Sequence, residues 1–312
     1  MQTDHRNKLY VVTGVSGRTG SAAAHALLRA GKCVRVVVRD ASKGRLWARL
    51  GAEVVFADFT DLRALSSAFS GADSAYIISP PQYASNDLFE QADIMAHNIA
   101  EAVANSQLKK IVALSSIGAD RTSDTGWIAM NRTLETCLSR TGVPVTFLRA
   151  AYFMENWSPL VQAAAHGELL SFLAPLERKI PMIATEDIGR IAAQALCDDW
   201  RKVRIIELEG PARYSPEDVA NSLSQALSKT VVPIELPETA WPEALSDTGF
   251  SAIALNGFVE MTKSLNSGHI GFAKNVDTDH RTGTVSLETA IGAMVSSIGT
   301  GGVTTVVSEP LL

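Results

Sequence analysis

The sequence predicts an α/β protein: a doubly wound, parallel Rossmann sheet followed by a smaller C-terminal α/β lobe. Three observations lead to this prediction. Short, β-branched apolar runs alternate with helix-like segments through the first half of the chain, which is typical of a parallel sheet covered on both faces. Three closely spaced glycines follow the first apolar run. After about residue 150 the segments become shorter and less regular.

The first element is a strand, a glycine turn and a helix. The apolar run 9–12 leads into Gly14-x-x-Gly17-x-x-Gly20, and an alanine-rich helical segment follows over 21–30. A helix N-terminus offers unpaired N–H groups and a partial positive charge to an anion. Gly14 and Gly17 let the backbone approach a pyrophosphate, and Gly20 lets the helix lie against the strand. The unit predicts a nucleotide site; the alternative is a glycine-rich turn that binds nothing.

Five further strands are expected before residue 150, each from a short apolar run. They cover 33–39, 53–58, 74–79, 110–116 and 143–149. Helical segments separate them, at 43–50, 61–69, 86–105 and 125–140. Because crossovers between parallel strands are right-handed, this alternation favours helices on both faces of one sheet.

The C-terminal half has fewer clear signals. Thr185 is a candidate N-cap of a helix, and the run 204–208 is typical of another strand. Ser215 and Pro216 mark a helix start, since serine caps and proline suits the first helical position. The segment 237–275 is expected to be a small helical lobe.

We expect two domains and a tail. The carboxyl ends of the strands carry the ligands in open α/β sheets, so the second domain would wall a substrate pocket there. Some of its elements are expected to return to the first sheet. The expected divisions are an NAD(P)-binding Rossmann domain at 1–155, a smaller substrate-binding lobe at 156–296, and a tail at 297–312.

Composition and charge exclude several classes of function. The net charge is −5 and no lysine- or arginine-rich run is present, which argues against nucleic-acid or membrane surfaces. The N-terminus lacks an apolar signal-peptide core, and no apolar stretch is long enough to span a bilayer. The 3 cysteines lie far apart without a C-x-x-C motif, which argues against a disulfide framework or a zinc site. We expect a cytoplasmic protein with a small-molecule substrate and no metal.

The end of the second strand bears on the choice of nucleotide. NAD-binding Rossmann units usually carry an acid there, which bonds the ribose 2′-hydroxyl. This chain has Arg39, whose guanidinium suits the 2′-phosphate of NADP. Arg18 and Lys43 would add positive charge. Asp40 is the competing residue, because it would bind the diol if the strand ended one residue later. We predict NADP(H) rather than NAD(H).

Other strand ends supply further candidate contacts. Asp58 would accept from the adenine amino group and Phe59 would flank the base, although Asp58 is also a possible helix cap. Ser79 and Pro80 follow the fourth strand, where the nicotinamide ribose would pass. Ser115 ends the fifth strand and could bond a substrate carbonyl; a structural serine is the alternative.

With these residues placed, the chain resembles the NmrA-like family of atypical short-chain dehydrogenases. The resemblance rests on the glycine pattern, basic Arg39, Asp58, and the segments 115–119, 142–149 and 152–156. It implies a Rossmann domain with a small C-terminal substrate lobe. The family contains NADPH-dependent reductases of quinones and other small unsaturated molecules. It also contains proteins that bind the dinucleotide without turnover and act as redox sensors or regulators.

The helix after the fifth strand departs from the pattern of the wider superfamily. Reductases there hold a Tyr-x-x-x-Lys pair, in which the tyrosine donates a proton and the lysine binds the nicotinamide ribose and lowers the tyrosine pKa. The segment 127–135 contains no tyrosine, and the lysine position, four residues before Glu135, is Asn131. An amide can bond a ribose hydroxyl but brings no charge. Tyr152 is the remaining candidate proton donor; a packing aromatic is the alternative.

We therefore expect an NADPH-dependent oxidoreductase that reduces a small, largely apolar quinone, enone or carbonyl compound, with Asn131 and Tyr152 as candidate catalytic residues. The alternatives are a non-catalytic NADP(H)-binding sensor or regulator, which would have a protein partner, and a related isomerase or epimerase. The expected cofactor contacts are Thr13, Gly14, Ser16, Gly17, Arg18, Thr19, Gly20, Arg39, Lys43, Asp58, Phe59, Ser79, Pro80, Ser115, Asn131, Tyr152 and Phe153.

Overall fold

The computed structural model describes residues 8–273 and 278–299. The strands of these residues are β1 (Leu9–Val12), β2 (Cys33–Val38), β3 (Glu53–Phe56), β4 (Ser74–Ile77), β5 (Lys110–Ser116), β6 (Val145–Ala150), β7 (Tyr152–Phe153), β8 (Glu168–Ser171), β9 (Ile180–Ile183), β10 (Arg204–Glu209), β11 (Arg213–Tyr214), β12 (Val232–Glu235) and β13 (Asp279–Thr282). The α-helices are α1 (Arg18–Arg29), α2 (Ala41–Arg49), α3 (Leu62–Phe69), α4 (Leu88–Ala104), α5 (Ile128–Ser139), α6 (Val161–Ala164), α7 (Thr185–Cys197), α8 (Pro216–Leu227), α9 (Trp241–Ala244), α10 (Ala252–Ser267) and α11 (Leu287–Gly299). Short 3₁₀ helices cover Met154–Leu160, Glu238–Ala240 and Ser246–Thr248.

One eight-stranded sheet forms the centre of the molecule, in the order β13-β10-β6-β5-β4-β1-β2-β3. All of its neighbouring strands are parallel. The chain builds outward from β1 through β2 to β3 and then crosses back to place β4 on the other side of β1. This reversal puts the topological switch point, where such sheets bind ligands, between β1 and β4. The predicted doubly wound parallel sheet is confirmed.

Helices bury both faces of this sheet. Side chains such as Val12 and Val112 face α1, α2 and α7, while their neighbours Val11 and Ala113 face α3, α4 and α5. Successive side chains of a strand point to opposite faces, so a strand covered on both sides needs apolar residues at nearly every position. This is why the sequence shows continuous apolar runs instead of alternation.

Polar caps fix the starts of several helices. The Asp40 carboxylate accepts from the Ser42 N–H at 2.6 Å at the start of α2, and Asp61 accepts from Ala64 N–H at 3.0 Å at the start of α3. Ser215 and Asp218 form a reciprocal capping box on α8. The prediction that Thr185 caps α7 is wrong: Ala184 is the N-cap, and Thr185 is the first helical residue.

The C-terminal half both extends the large sheet and builds a smaller lobe. β10 and β13 join the eight-stranded sheet, while β11-β9-β7 and β12-β8 form two small sheets. The expected helical segment after residue 237 contains α9, α10 and two 3₁₀ turns. The prediction of a tail that starts at residue 297 is wrong, because α11 continues to Gly299. Residues 300–312 lie outside the described residues. None of the described helices is long and apolar enough to cross a membrane.

Candidate functional site

The glycine turn joins β1 to α1 at the switch point. Gly14 has φ +65° and an ideal Cβ there would lie 3.0 Å from Ile78 Cδ1, so both conformation and space require glycine. Gly17 is the N-cap of α1, and no side chain caps that helix. Its N-terminal N–H groups therefore remain directed toward an anion at the carboxyl edge of the sheet.

Gly20 and Thr13 hold this turn in place. An ideal Cβ on Gly20 would lie 2.3 Å from the carbonyl oxygen of Gly14, so the first turn of α1 packs directly on the turn that precedes it. The Thr13 hydroxyl donates to the Tyr76 carbonyl at 3.1 Å and accepts from the Ile78 N–H at 2.9 Å. Thr13 is fully buried. Its side chain therefore ties β1 to β4, and a cofactor contact of Thr13 stays a prediction.

The segment after β2 carries two exposed cationic side chains. Arg39 and Lys43 are exposed, and neither forms a salt bridge within the described part of the chain. The hydrogen bonds from Ser42 lower the pKa of Asp40, because they stabilise the carboxylate that caps α2. One oxygen of Asp40 therefore caps α2, but the carboxylate is exposed, so the alternative in which Asp40 binds the ribose diol stays open. The arrangement favours Arg39 as the residue that meets the 2′ position.

The end of β3 agrees only in part with its predicted role. Asp58 is exposed and its carboxylate accepts from the N–H and hydroxyl of Thr60, at 2.9 and 2.7 Å. These bonds lower its pKa, and nearby Arg39 adds to the effect. Phe59 is only 6% exposed and belongs to the core between the sheet and α3–α4. The prediction that its ring flanks the adenine is corrected accordingly.

The strand ends on the other side of the switch point remain accessible in part. Ser79 and Pro80 are half-buried just beyond β4, and Ser16 is exposed in the glycine turn. Gly14 faces this segment, since its nearest neighbours are atoms of Ile78. These residues therefore border one crevice at the carboxyl ends of β1 and β4.

A buried polar network lies below the end of β5. The Ser115 hydroxyl donates to Glu135 at 2.6 Å, and Arg149 donates to the same carboxylate through Nε at 2.9 Å and Nη2 at 2.7 Å. Asp120 lies 3.8 Å from Arg149 Nη1. The Ser115 hydroxyl is therefore engaged inside the protein, and its contact with the cofactor stays a prediction. The network instead locks α5 onto β5 and β6.

The polar row continues across the sheet. Ser115, Arg149, Glu207 and His280 are register partners on the adjacent strands β5, β6, β10 and β13, so they lie side by side on one face. Buried Glu207 accepts from the Ala273 N–H at 2.7 Å and lies 3.2 Å from the His280 Nε2. This row was not predicted; its signal in the sequence is a charged residue inside each of two apolar strands, Arg149 and Glu207.

Asn131 lies one helical turn above this network. Trp127, Asn131 and Glu135 follow one another at four-residue spacing, which places them along one stripe of α5 and its start. Since α5 runs back from the carboxyl edge of the sheet, Asn131 is nearer that edge than Glu135. Asn131 is half-buried, and its side chain makes no hydrogen bond to any described residue. Its amide is free to bond a ligand.

A small cavity lies where β5, β6 and β7 end beneath α10. Its lining includes Ile117, Tyr152, Phe153 and Met261, and its volume of about 20 Å³ suits one water molecule. Asn156 hydrogen-bonds the Tyr152 hydroxyl, while burial raises the pKa of that phenol. Tyr152 and Phe153 thus line an apolar space next to the strand ends, while their roles at the cofactor stay predictions. Asn131 does not line it.

A second, larger cavity of about 250 Å³ adjoins the glycine turn through Arg18. Glu155 lines it and accepts from the Thr185 N–H with both carboxylate oxygens, at 3.1 and 3.0 Å. Burial raises the pKa of Glu155. This carboxylate, from a 3₁₀ turn, replaces the missing side-chain cap of α7. This role of Glu155 was not predicted, because nothing in the local sequence pattern connects residue 155 to residue 185.

Aromatic side chains close the site from above. Tyr83, from the loop after β4, packs on Trp127 with ring centroids 4.0 Å apart, and Phe250 and Phe258 pack on the same tryptophan at 5.2 and 5.4 Å. We call these four residues the aromatic cluster. No three His, Cys, Asp or Glu side chains in the described ranges are arranged to hold a metal ion.

Comparison with known proteins gives consistent matches across the chain. A model of the NmrA-like family matches residues 6–285. Quinone oxidoreductase 2 of Escherichia coli (strain K12) is 26% identical over 244 residues, which cover 77% of this chain and 82% of that protein. The (4-alkanoyl-5-oxo-2,5-dihydrofuran-3-yl)methyl phosphate reductase of Streptomyces griseus is 28% identical over 226 residues, 71% of this chain and 74% of that protein.

Solved structures share the fold. A crystal structure of an NADPH-dependent quinone oxidoreductase from Escherichia coli superposes with a TM-score of 0.72 at 24% identity, covering 92% of this chain and 99% of that one. The triphenylmethane reductase of Citrobacter sp., solved as a complex with NADP(H), superposes with a TM-score of 0.76 at 17% identity, over 92% and 99% of the two chains.

Proposed function

We propose a function from one premise: this chain belongs to the NmrA-like family. It is an oxidoreductase that uses NADPH to reduce a small, largely apolar quinone, enone or carbonyl compound. Two relatives that cover most of the chain, a quinone oxidoreductase and a reductase, support the reaction class. The choice of NADPH as the cofactor is supported by the uncapped N-terminus of α1 at the switch point, together with exposed Arg39.

The residues present fit NADPH on three grounds. The Gly14 position is a cradle that a Cβ would fill, because Ile78 would lie 3.0 Å away. The N–H groups of α1 suit the pyrophosphate. Arg39 suits the 2′-phosphate, because its guanidinium is exposed and forms no salt bridge within the described residues. NADPH supplies a hydride when bound, and this chain supplies orientation and exclusion of water.

Asn131 takes the place of a positioning lysine in this proposal. Its free amide, one turn above the Ser115–Glu135–Arg149 network, bonds the nicotinamide ribose, and the network holds α5 so that the amide keeps its position. Without a lysine the site does not lower the pKa of a neighbouring phenol. Tyr152 and Phe153 form an apolar wall, and we assign the lobe at 156–296 to substrate binding.

The test is NADPH oxidation by the purified protein with a panel of quinones, enones and aldehydes. We expect turnover with at least one quinone or enone, and about a tenfold loss of rate in Asn131→Ala, which corresponds to one modest hydrogen bond. Turnover that is unaffected in Asn131→Ala would reject the ribose-positioning role. No turnover, together with different protease sensitivity in NADPH and NADP⁺, would identify a sensor instead.

A further inference from the structure

The small cavity beneath α10 is too small for the substrate that the proposed function requires. Its volume of about 20 Å³ holds one water molecule, whereas ligand pockets usually measure about 300–1,000 Å³. It nevertheless lies at the carboxyl ends of β5 and β6, the edge where open α/β sheets bind ligands. A substrate ring therefore enters this cavity only if part of its lining moves.

The side of the cavity that the strands form is fixed. Ala150 and Ala151 belong to this wall, and alanine has no side-chain torsion through which it could withdraw. The sheet holds their main chain, since the Ala150 carbonyl accepts from the Ile117 N–H at 3.0 Å and the Ala151 N–H donates to the Leu208 carbonyl at 2.9 Å. This wall therefore keeps its place when a ligand binds.

The main chain of α10, on the opposite side, is fixed as well. The Gly126 N–H donates to Glu260 Oε1 at 3.1 Å. An ideal Cβ on Gly126 would lie 2.7 Å from the Met261 nitrogen, so the helix packs directly on the segment that precedes α5. Further along, the Asn266 amide bonds an N–H and a carbonyl of the loop 172–174, at 3.0 and 2.9 Å. α10 is thus held on both sides of Met261.

Space for a ring must therefore come from a side chain, and Met261 is suited to provide it. Among the described residues that line the cavity, it alone has a long, unbranched side chain, and methionine adapts to irregular space through three rotatable bonds. Ile270 packs on the loop at Gly118, where an ideal Cβ would lie 3.1 Å from its Cγ2. The Tyr152 hydroxyl is held by Asn156. Met261 is only 3% exposed, so its side chain fills interior space that a ligand could take.

We propose that Met261 determines the thickness of the substrates that the protein reduces: its side chain rotates away and leaves a slot between the strand ends and α10. The inference rests on the proposed function and narrows its substrate class to flat rings. Both walls of the slot stay in place, so a planar ring fits at van der Waals distances of about 3.5–4.0 Å from each wall, whereas groups that project above the ring plane meet α10. The slot offers mainly apolar contact, because the Ser115 hydroxyl is engaged by Glu135 and the Ser116 hydroxyl donates to the Ile117 carbonyl.

The experiment compares two quinones of different thickness, 2,6-dimethyl-1,4-benzoquinone and its 2,6-di-tert-butyl analogue, in the wild type and in Met261→Ala. We expect the wild-type kcat/KM to favour the dimethyl compound at least about tenfold. Met261→Ala should reduce this preference about tenfold, because the shorter side chain leaves room for the tert-butyl groups, and should leave NADPH affinity unchanged. A wild type without the preference, or a preference that Met261→Ala does not change, would overturn the proposal.

The preference is a ratio measured on one folded enzyme, so a loss of stability in the variant does not affect it. Met261→Val removes less volume and serves if the alanine variant does not fold; it should change the ratio in the same direction by a smaller factor. Met95→Ala is the matched control, since Met95 is equally buried, at 2% exposure, but lies in the core that α4 forms with the sheet. It should keep the wild-type preference. An equal change in Met95→Ala would reject a special role for Met261.

A binding measurement separates this inference from the proposed function. The NADP⁺-loaded protein, which has no hydride to transfer, is titrated with 3′,5′-dimethylacetophenone and with 3′,5′-di-tert-butylacetophenone, and Trp fluorescence is followed. The wild type should bind the dimethyl ketone more tightly, and Met261→Ala should reduce the ratio of the two Kd values about tenfold. This result stands even if no quinone, enone or aldehyde gives turnover, which would refute the proposed function alone. An unchanged ratio of Kd values would refute the slot at Met261.

Discussion

Replacing Gly20 by alanine tests whether α1 must pack on its own glycine turn. The added Cβ would lie 2.3 Å from the Gly14 carbonyl oxygen and 2.5 Å from its carbon. Both are backbone atoms, so the turn itself has to move. Overpacking of this kind costs about 1–3 kcal/mol, and alanine returns about 1 kcal/mol as a better helix former. We expect a net loss of about 0–2 kcal/mol in the free energy of unfolding.

Gly292→Ala provides the control, because Gly292 also lies in a helix but an added Cβ meets nothing within 4 Å. That variant should gain about 0.5–1 kcal/mol. Urea unfolding measures stability, and calorimetry with NADPH measures affinity. Gly20→Ala should also bind NADPH at least about tenfold more weakly, since the displaced turn carries the pyrophosphate contacts. Equal stability of the two variants would refute the packing argument, and unchanged affinity in Gly20→Ala would refute the placement of the cofactor.

Three further predictions follow from single side chains. Glu135→Leu should lower the free energy of unfolding by about 3–5 kcal/mol in urea, because it leaves buried Arg149 without its main partner. Glu238→Leu, at the exposed ion pair with Lys263, should cost under about 1 kcal/mol, and similar losses in the two variants would contradict the burial argument. The raised pKa of Glu155 means that its contribution to stability is greatest below the unfolded pKa of about 4.3 and is lost as pH rises through the higher folded value. The wild type should therefore lose stability relative to Glu155→Gln between about pH 4 and 7, and a constant difference would exclude this carboxyl. Arg39→Asp should abolish a preference for NADPH over NADH in binding calorimetry. An unchanged preference would mean that a residue other than Arg39 binds the 2′-phosphate.

The central elements were predictable because their signals are local. The run 110–116 contains four consecutive apolar residues, at 111–114, and β5 covers the whole run. The glycine spacing predicted the turn at the switch point, since only residues without a Cβ suit φ +65° at Gly14 and the contact at Gly20. Strand ends were less certain: β3 stops at Phe56, because Asp58 and Thr60 form a turn that local apolarity does not signal.

The interior of the site could not be predicted, because distant residues form it. Ser115, Glu135 and Arg149 become one network only when α5 packs on the sheet. Glu155 caps a helix that begins 30 residues later. Phe59 was predicted to flank the adenine base because it follows a strand end. The direction of its side chain is set instead by packing against α3 and α4.

The polar row across β5, β6, β10 and β13 has a consequence for how the chain reaches a single structure. A slip of β10 by one residue would set Ile206 or Leu208 beside Arg149 and turn Glu207 toward the opposite, apolar face. Apolar strands alone tolerate such slips, since one valine or isoleucine resembles the next. A strand with a buried carboxylate does not, because misalignment takes Glu207 away from the Ala273 N–H and from His280 and leaves its charge without partners in a dry interior. The row thus selects the one pairing in which the late strands of the chain complete a sheet begun some 200 residues earlier.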